Sequence, residues 1–202
     1  MKKTIFLIDG FNLYHAISAQ KTLRKYKWLN LHSLCSSFLT SNEKINKIFY
    51  FTAYYPGNGP RRQKHQLYVR ALELHEVTTI FGEFKRKDKF CKSCYKTSEG
   101  YEEKQTDVNI AIELFRQAVN DTYDTAYIIS GDSDLLPSIR AVKSTFPEKT
   151  IKLILPPMRQ SESLKKEVHW YMRMKEKHLA NNQFLEKIER NGITLQKPED
   201  WK

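Results

Sequence analysis

Two short apolar runs constrain this chain more than any other feature: T-I-F-L-I at residues 4–8 and A-Y-I-I at residues 126–129. A strand with one face in water alternates apolar and polar residues. An unbroken apolar run needs cover on both faces, as inside a parallel sheet sandwiched by helices. Both runs stop at a glycine turn, Asp9-Gly10 in the first case and Ser130-Gly131 in the second, and Asp132 and Asp134 follow at once. In an open α/β sheet the crevice beyond the carboxyl ends of the strands is where ligands sit. Two carboxylates there repel each other and call for water or a cation between them. The expectation is a cation.

The rest of the chain alternates in the same way. Further strands are expected at 45–55, 77–81 and 150–155, and helices at 31–39, 61–75, 107–119 and 135–146, with Thr106 as N-cap of the third. This order predicts an α/β fold: an open, mostly parallel sheet of about five strands with helices on both faces and right-handed crossovers. A length of 202 residues suits a single domain, 1–202. Its core is expected at about 4–155, with an irregular insertion at about 83–104 and a C-terminal helical extension at about 158–202, helical at 161–167 and 179–190. The start, M-K-K before an apolar run, resembles a signal peptide, but Asp9 ends that run after five residues, too short for a signal core. No apolar stretch approaches the roughly 20 residues that span a bilayer. Three cysteines without framework spacing fit a reducing compartment, so the expected location is cytoplasmic, with no membrane partner.

Lys and Arg number 34 against 23 acids, a net charge of +11, which favours a polyanion such as nucleic acid. Simple solubility would account for the same surplus. Arg61, Arg62 and Lys64, just past Tyr54-Tyr55, offer phosphate contacts beside rings on which bases stack. A solvated helix face explains any one of them equally well. Lys104 can reach a phosphate or pair with a surface acid.

Acids gathered in one place within a basic protein are the sharper signal. Asp9 ends the first strand as Asp132 and Asp134 end the fourth, and these strands can be neighbours where strand order reverses. Asp107 stands in the first turn of a helix that opens toward the same edge. Singly, each has a plain explanation: a D-G turn for Asp9, the helix dipole for Asp107, a cap for Asp134. Together they form an all-oxygen donor set suited to Mg²⁺ or Mn²⁺, one ion or two, rather than zinc. Such sites hydrolyse phosphodiesters, because the ion acidifies water and shields the phosphate. A haloacid-dehalogenase-like site would need a second Asp two residues after Asp9, where Phe11 stands, and a toprim-type site would want Glu at the first strand end.

I-D-G-F-N-L at 8–13, E-K-Q-T-D-V-N-I-A at 103–111 and S-G-D-S-D-L-L-P at 130–137 together resemble the NYN family of PIN-like nucleases. The resemblance runs from the first strand to about residue 155, and the terminal K-P-E-D-W is similar to the end of bacterial NYN proteins. It implies a Rossmann-like PIN fold and metal-dependent ribonuclease activity on single-stranded or structured RNA. By motif position Asp9, Asp107, Asp132 and Asp134 would bind metal and act in catalysis. Asn12 would orient a ligand or the acids, and Ser130 would be the hydroxyl residue before the paired acids; both can equally cap local backbone. A non-catalytic RNA-binding module of the same fold and a nuclease acting on DNA remain the alternatives. Cys91-x-x-Cys94 is half of a zinc site, and only a homodimer would supply four thiolates. A plain pair of loop thiols is the other reading.

Overall fold

The computed structural model describes residues 1–90, Ser93 and residues 95–201. In chain order the elements begin with β1 (Lys2–Asp9), α1 (Gly10–Ala19), a 3-10 turn at Lys21–Tyr26, α2 (Leu31–Ser36), β2 (Glu43–Thr52), α3 (Pro60–Glu73) and β3 (Val77–Phe81). Four short strands follow: β4 (Glu83–Arg86), β5 (Lys89–Phe90), β6 (Thr97–Ser98) and β7 (Tyr101–Lys104). Then come α4 (Thr106–Val119), β8 (Thr125–Ile129), α5 (Leu136–Thr145), β9 (Thr150–Leu155), α6 (Glu162–Glu167), β10 (Trp170–Arg173), α7 (Glu176–Ala180), β11 (Lys187–Arg190) and β12 (Ile193–Gln196).

The central sheet runs β10-β9-β8-β1-β2-β3, every neighbouring pair parallel. From β1 the chain first builds outward through β2 and β3, then returns to the other side of β1 for β8, β9 and β10. The order therefore reverses between β1 and β8, the point at which an open α/β sheet parts to form a crevice. Ile8 pairs with Ile129 across that gap, so Asp9 and Ser130 leave their strands at the same height.

The apolar runs have the cause expected of them. Ile5 and Leu7 feed one core with Ala126 and Ile128, packed under α4 and α5. Phe6 and Ile8 feed the opposite core with Tyr127 and Ile129, joined by Leu13, Trp28, Tyr68 and Trp201. Alternate side chains of one strand thus enter two different cores, which is why Ile5–Ile8 and Ala126–Ile129 read as unbroken apolar runs. Among the described residues no helix is long and apolar enough to cross a membrane.

The expected open parallel sheet is present, with six strands among the described residues, the sixth being the edge strand β10, whose Trp170, Tyr171 and Arg173 are exposed. Two expectations need correction. The segment expected as a helix at 179–190 ends its helix at Ala180 and pairs Lys187–Arg190 with Ile193–Gln196 as an antiparallel hairpin, so the C-terminal extension is not purely helical. The spacing of Leu179, Phe184 and Ile188 imitates a helix, but each packs into the core from a different local structure. The insertion at 83–104 is not irregular throughout either: β4 pairs with β7 and β5 with β6, both antiparallel. Cys91 and Cys94 lie outside the described residues.

Candidate functional site

Asp9 is the last residue of β1 and the N-cap of α1, and it is almost wholly buried. Its Oδ1 accepts the Asn12 N–H at 2.9 Å, which is ordinary capping. Its Oδ2 accepts the hydroxyl of Ser130 at 2.8 Å, a bond that ties the ends of β1 and β8 together. Burial pushes the Asp9 carboxyl up, against the pull of these two hydrogen bonds, and the charges of Asp132 and Glu103 push it the same way as burial. Gly10 must follow because a methyl there would lie 2.5 Å from the Phe51 carbonyl and 2.7 Å from the Tyr50 ring. The turn can pass so close to β2 only without a Cβ.

The second strand end is held by the same few groups. Ser130 Oγ also accepts the Asp132 N–H at 3.1 Å, and Asn12 Oδ1 accepts the Gly131 N–H at 3.1 Å. Asn12 and Ser130 therefore do cap backbone, and the backbone they cap is the acidic turn itself. Asp132 Oδ1 accepts the Asp134 N–H at 3.0 Å and starts the 3-10 turn Ser133–Leu135. The expected capping role for Asp134 thus belongs to Asp132, and Asp134 is exposed beyond it. Gly131 packs against the stem of Arg159, whose Cβ would be 2.9 Å from a methyl at that glycine.

The third contributor is α4. Thr106 was the expected N-cap, yet the capping position is Gln105, held in the left-handed region at φ 77°, and Thr106 is the first helical residue. Glu103 does the capping: its Oε1 accepts the Thr106 N–H at 3.0 Å and the Thr106 hydroxyl as well. Asp107, one residue on, is partly exposed, and its carboxyl is pushed up to about 6. Burial is the main cause, followed by the charges of Asp9, Asp132, Glu103 and Asp134. Four acids from three parts of the chain thus share one electrostatic neighbourhood, with Glu103 as a fifth. As they stand, no three His, Cys, Asp or Glu side chains among the described residues are set close enough to grip a metal ion.

The basic residues divide. Lys104 pairs with Glu102 at 3.1 Å, the surface-acid alternative. Lys64 pairs with Asp200 at 2.6 Å. Arg61 lies over the Tyr55 ring at 5.0 Å and Arg62 over Tyr54 at 5.4 Å, so the aromatic–basic cluster read from the sequence is real and sits at the start of α3. Two residues were missed. Glu103 was signalled by standing four residues before Asp107. Arg159 was signalled by its place in the P-P-M-R loop after β9, at the carboxyl edge of the sheet, and its Nε is buried with no hydrogen-bond partner.

Known proteins agree with this architecture. One relative is 6-hydroxy-3-succinoylpyridine 3-monooxygenase HspA of Pseudomonas putida (strain DSM 28022 / S16), 23% identical, the match covering 98% of this chain and 75% of that protein. A solved structure, a protein of unknown function, VPA0982, from Vibrio parahaemolyticus RIMD 2210633, is 15% identical with a TM-score of 0.61. That match covers 86% of this chain and 93% of the other, and supports the fold. The family model of the NYN domain matches residues 3–175, from β1 through β10, so the chain belongs to the NYN domain family, a family of PIN-like nucleases.

Proposed function

We propose that this protein is a metal-dependent ribonuclease. The observation that carries the reading is the field at Asp107: a carboxyl pushed up to about 6 by burial and by acids from β1 and the β8 turn. Carboxylates held in mutual repulsion at the mouth of a crevice are a functional arrangement more often than a structural one. The donor set fits a divalent cation, since oxygen-only ligands suit Mg²⁺ or Mn²⁺ and a cation relieves the repulsion. Asp9, Asp107, Asp132 and Asp134 would hold it, and small movements of the partly exposed Asp107 and Asp134 would complete the grip. When bound, the ion supplies Lewis acidity and shields the phosphate charge.

The chain's own groups do the rest. Ser130 and Asn12 hold Asp9 and the Gly131–Asp132 backbone in register. Asp9, locked at both oxygens, is the fixed point of the site, and Asp107 is the carboxylate whose repulsion from the other acids a bound cation would relieve most directly. Arg61, Arg62, Lys64 and Lys104 would draw in the RNA backbone, an attraction that weakens with salt.

Labelled RNA incubated with Mn²⁺ or with EDTA tests this. Metal-dependent products that disappear in the Asp132→Asn, Asp134→Asn double variant support the reading, and undiminished cleavage by that variant sinks it. A shifted but uncut band would point to a non-catalytic RNA-binding module, and DNA of the same sequence decides the sugar. One observation favours a second reading. A cavity lined by aromatic and cationic side chains adjoins the site, and the Pseudomonas relative is named for oxygenating a succinoylpyridine. Oxygenation of a small heteroaromatic acid would show as oxygen consumed with a hydroxypyridine acid and a reductant, and should be absent if the chain is a nuclease alone.

A further inference from the structure

A cavity of about 290 Å³ opens beside the acids, between α1, β2, α3 and the C-terminal Trp201. It shares a wall with them: Gly10 and Tyr50 line it, and Tyr50 lies close enough to Asp9 to feel its charge. Its size is at the lower end of ligand pockets, right for one flat ring system and little more. Tyr14, Tyr55 and Trp201 supply ring faces and edges. Lys27 lies 5.4 Å from the Tyr14 ring, Arg61 covers Tyr55, and Arg62 Nε is buried with no hydrogen-bond partner. Against these cations the lining holds the single carboxylate of Asp200, already paired with Lys64. The chemistry suits a planar ring with an anionic group attached to it, the ring among the aromatic side chains and the anion toward the cations.

The cationic surface does not stop at the cavity. His15, on α1, lies within the field of both Arg61 and Arg159. Arg159 packs on Gly131 in the acidic turn, and its buried Nε also has no partner. Positive groups therefore stand at both ends of a track, Arg61 at the cavity and Arg159 at the edge of the acids, and His15, which burial and these two cations hold neutral, lies between them as a hydrogen-bonding imidazole. A small aromatic acid would be used up inside the cavity, whereas a phosphodiester chain would occupy both the cavity and this track. We propose that the cavity seats one unstacked base of a single-stranded RNA, with the adjoining backbone led past Arg61, His15 and Arg159 to the carboxylates. The proposal rests on the ribonuclease reading and adds a substrate requirement to it: an unpaired nucleotide at a fixed distance from the cut. A base stacked on aromatic side chains would favour an unpaired nucleotide of any sequence, since stacking is a large, sequence-tolerant contribution.

The test separates the seat from the chemistry. The full-length Asp132→Asn, Asp134→Asn protein in EDTA is titrated by calorimetry with UMP, AMP, ribose 5-phosphate, inorganic phosphate and nicotinate. Nucleotides should bind at least about tenfold more tightly than ribose 5-phosphate, the size of one stacked base. Tyr14 is exposed, so Tyr14→Ala should weaken them by about tenfold without lowering the melting temperature, and Tyr14→Phe should restore them. Equal binding of nucleotides and ribose 5-phosphate, wild-type binding by Tyr14→Ala, or binding of nicotinate in preference to nucleotides would overturn the seat. With wild-type protein and Mn²⁺, one abasic position in an RNA should lower cleavage about tenfold at a fixed spacing. Cleavage indifferent to abasic sites and to Tyr14→Ala rejects the seat and keeps the nuclease. Nucleotide binding without any RNA cleavage rejects the nuclease and keeps the seat.

Discussion

Replacing Asp107 with asparagine should stabilise the metal-free protein at neutral pH while removing activity. The Asp107 carboxyl, ordinarily near 3.8, is pushed up to about 6 in the folded chain, by burial first and then by Asp9, Asp132, Glu103 and Asp134. The folded state thus holds a proton between about pH 4 and 6 that the unfolded chain has lost, and stability falls as pH rises through that window. Two pKa units correspond to about 3 kcal/mol at most. Asp107 is partly exposed, and solvent screening reduces this to about 1–2 kcal/mol. One opposing effect must be subtracted. A carboxylate in the first turn of α4 gains about 0.3–1 kcal/mol from the helix dipole, which asparagine forgoes.

The net gain is about 1 kcal/mol above pH 6.5, or about 2–4 °C in melting temperature for a chain of this length. At pH 4 most of the gain should be gone, because wild-type Asp107 is then protonated in the folded state and about half protonated in the unfolded one. Thermal unfolding in EDTA at pH 7.5 and pH 4 measures the difference directly. Adding Mn²⁺ at pH 7.5 should raise the wild-type midpoint by mass action and the variant's by much less. A variant that melts at or below wild type at pH 7.5, or gains equally at both pH values, would refute the reasoning. Either result would mean that Asp107 does not feel the other acids.

Ser130→Ala should lower RNA cleavage about 10–100-fold, the usual effect of removing a group that orients ligands, and cost about 1–3 kcal/mol, because buried Asp9 loses a donor; cleavage kinetics and urea unfolding read the two effects. Glu43→Gln addresses a buried group far from the acids. Burial raises the Glu43 carboxyl, but Lys152 at 2.8 Å, Thr40 and the Tyr127 hydroxyl outweigh it and bring the pKa down to about 2. A depressed carboxyl contributes stability above its unfolded value of about 4.5 and loses it as pH falls toward 2, so the variant should be about 3 kcal/mol less stable at pH 7, the gap closing below pH 4. Chemical unfolding at pH 7 and pH 3 checks this, and a gap that does not narrow in acid would remove the ion pair as its cause.

How much could be read from the residues follows from how each element is buried. β1 and β8 were legible because both faces of each strand enter a core, which leaves an unbroken apolar run as its mark. β10 was not: it lies at the sheet edge with three of its four residues exposed, and backbone pairing to β9 needs no particular side chains. The hairpin β11–β12 was hidden for a different reason, since three buried residues at near-helical spacing satisfy either structure until the chain path is known.

The site divides along the same line. Asp9, Asp132 and Asp134 were legible because strand ends are visible in sequence, and topology alone brings β1 beside β8. What stayed hidden was the bonding that makes the arrangement rigid. Ser130 and Asn12 each have a local capping explanation, but the Asn12 cap on Gly131 is made between distant segments, and Ser130, while capping Asp132 locally, also donates its hydroxyl across to Asp9. A residue type that caps backbone is readable in sequence; the strand whose backbone it caps is not. Glu103 shows the same limit from the other side. It is a helix cap that also adds negative charge to the acids, so stabilising α4 and raising the field at Asp107 are one event. Stability and function are therefore in opposition here through the field and in alliance through the caps. A variant that removes a cap should lose both stability and activity, and one that removes only a charge should lose activity while gaining stability.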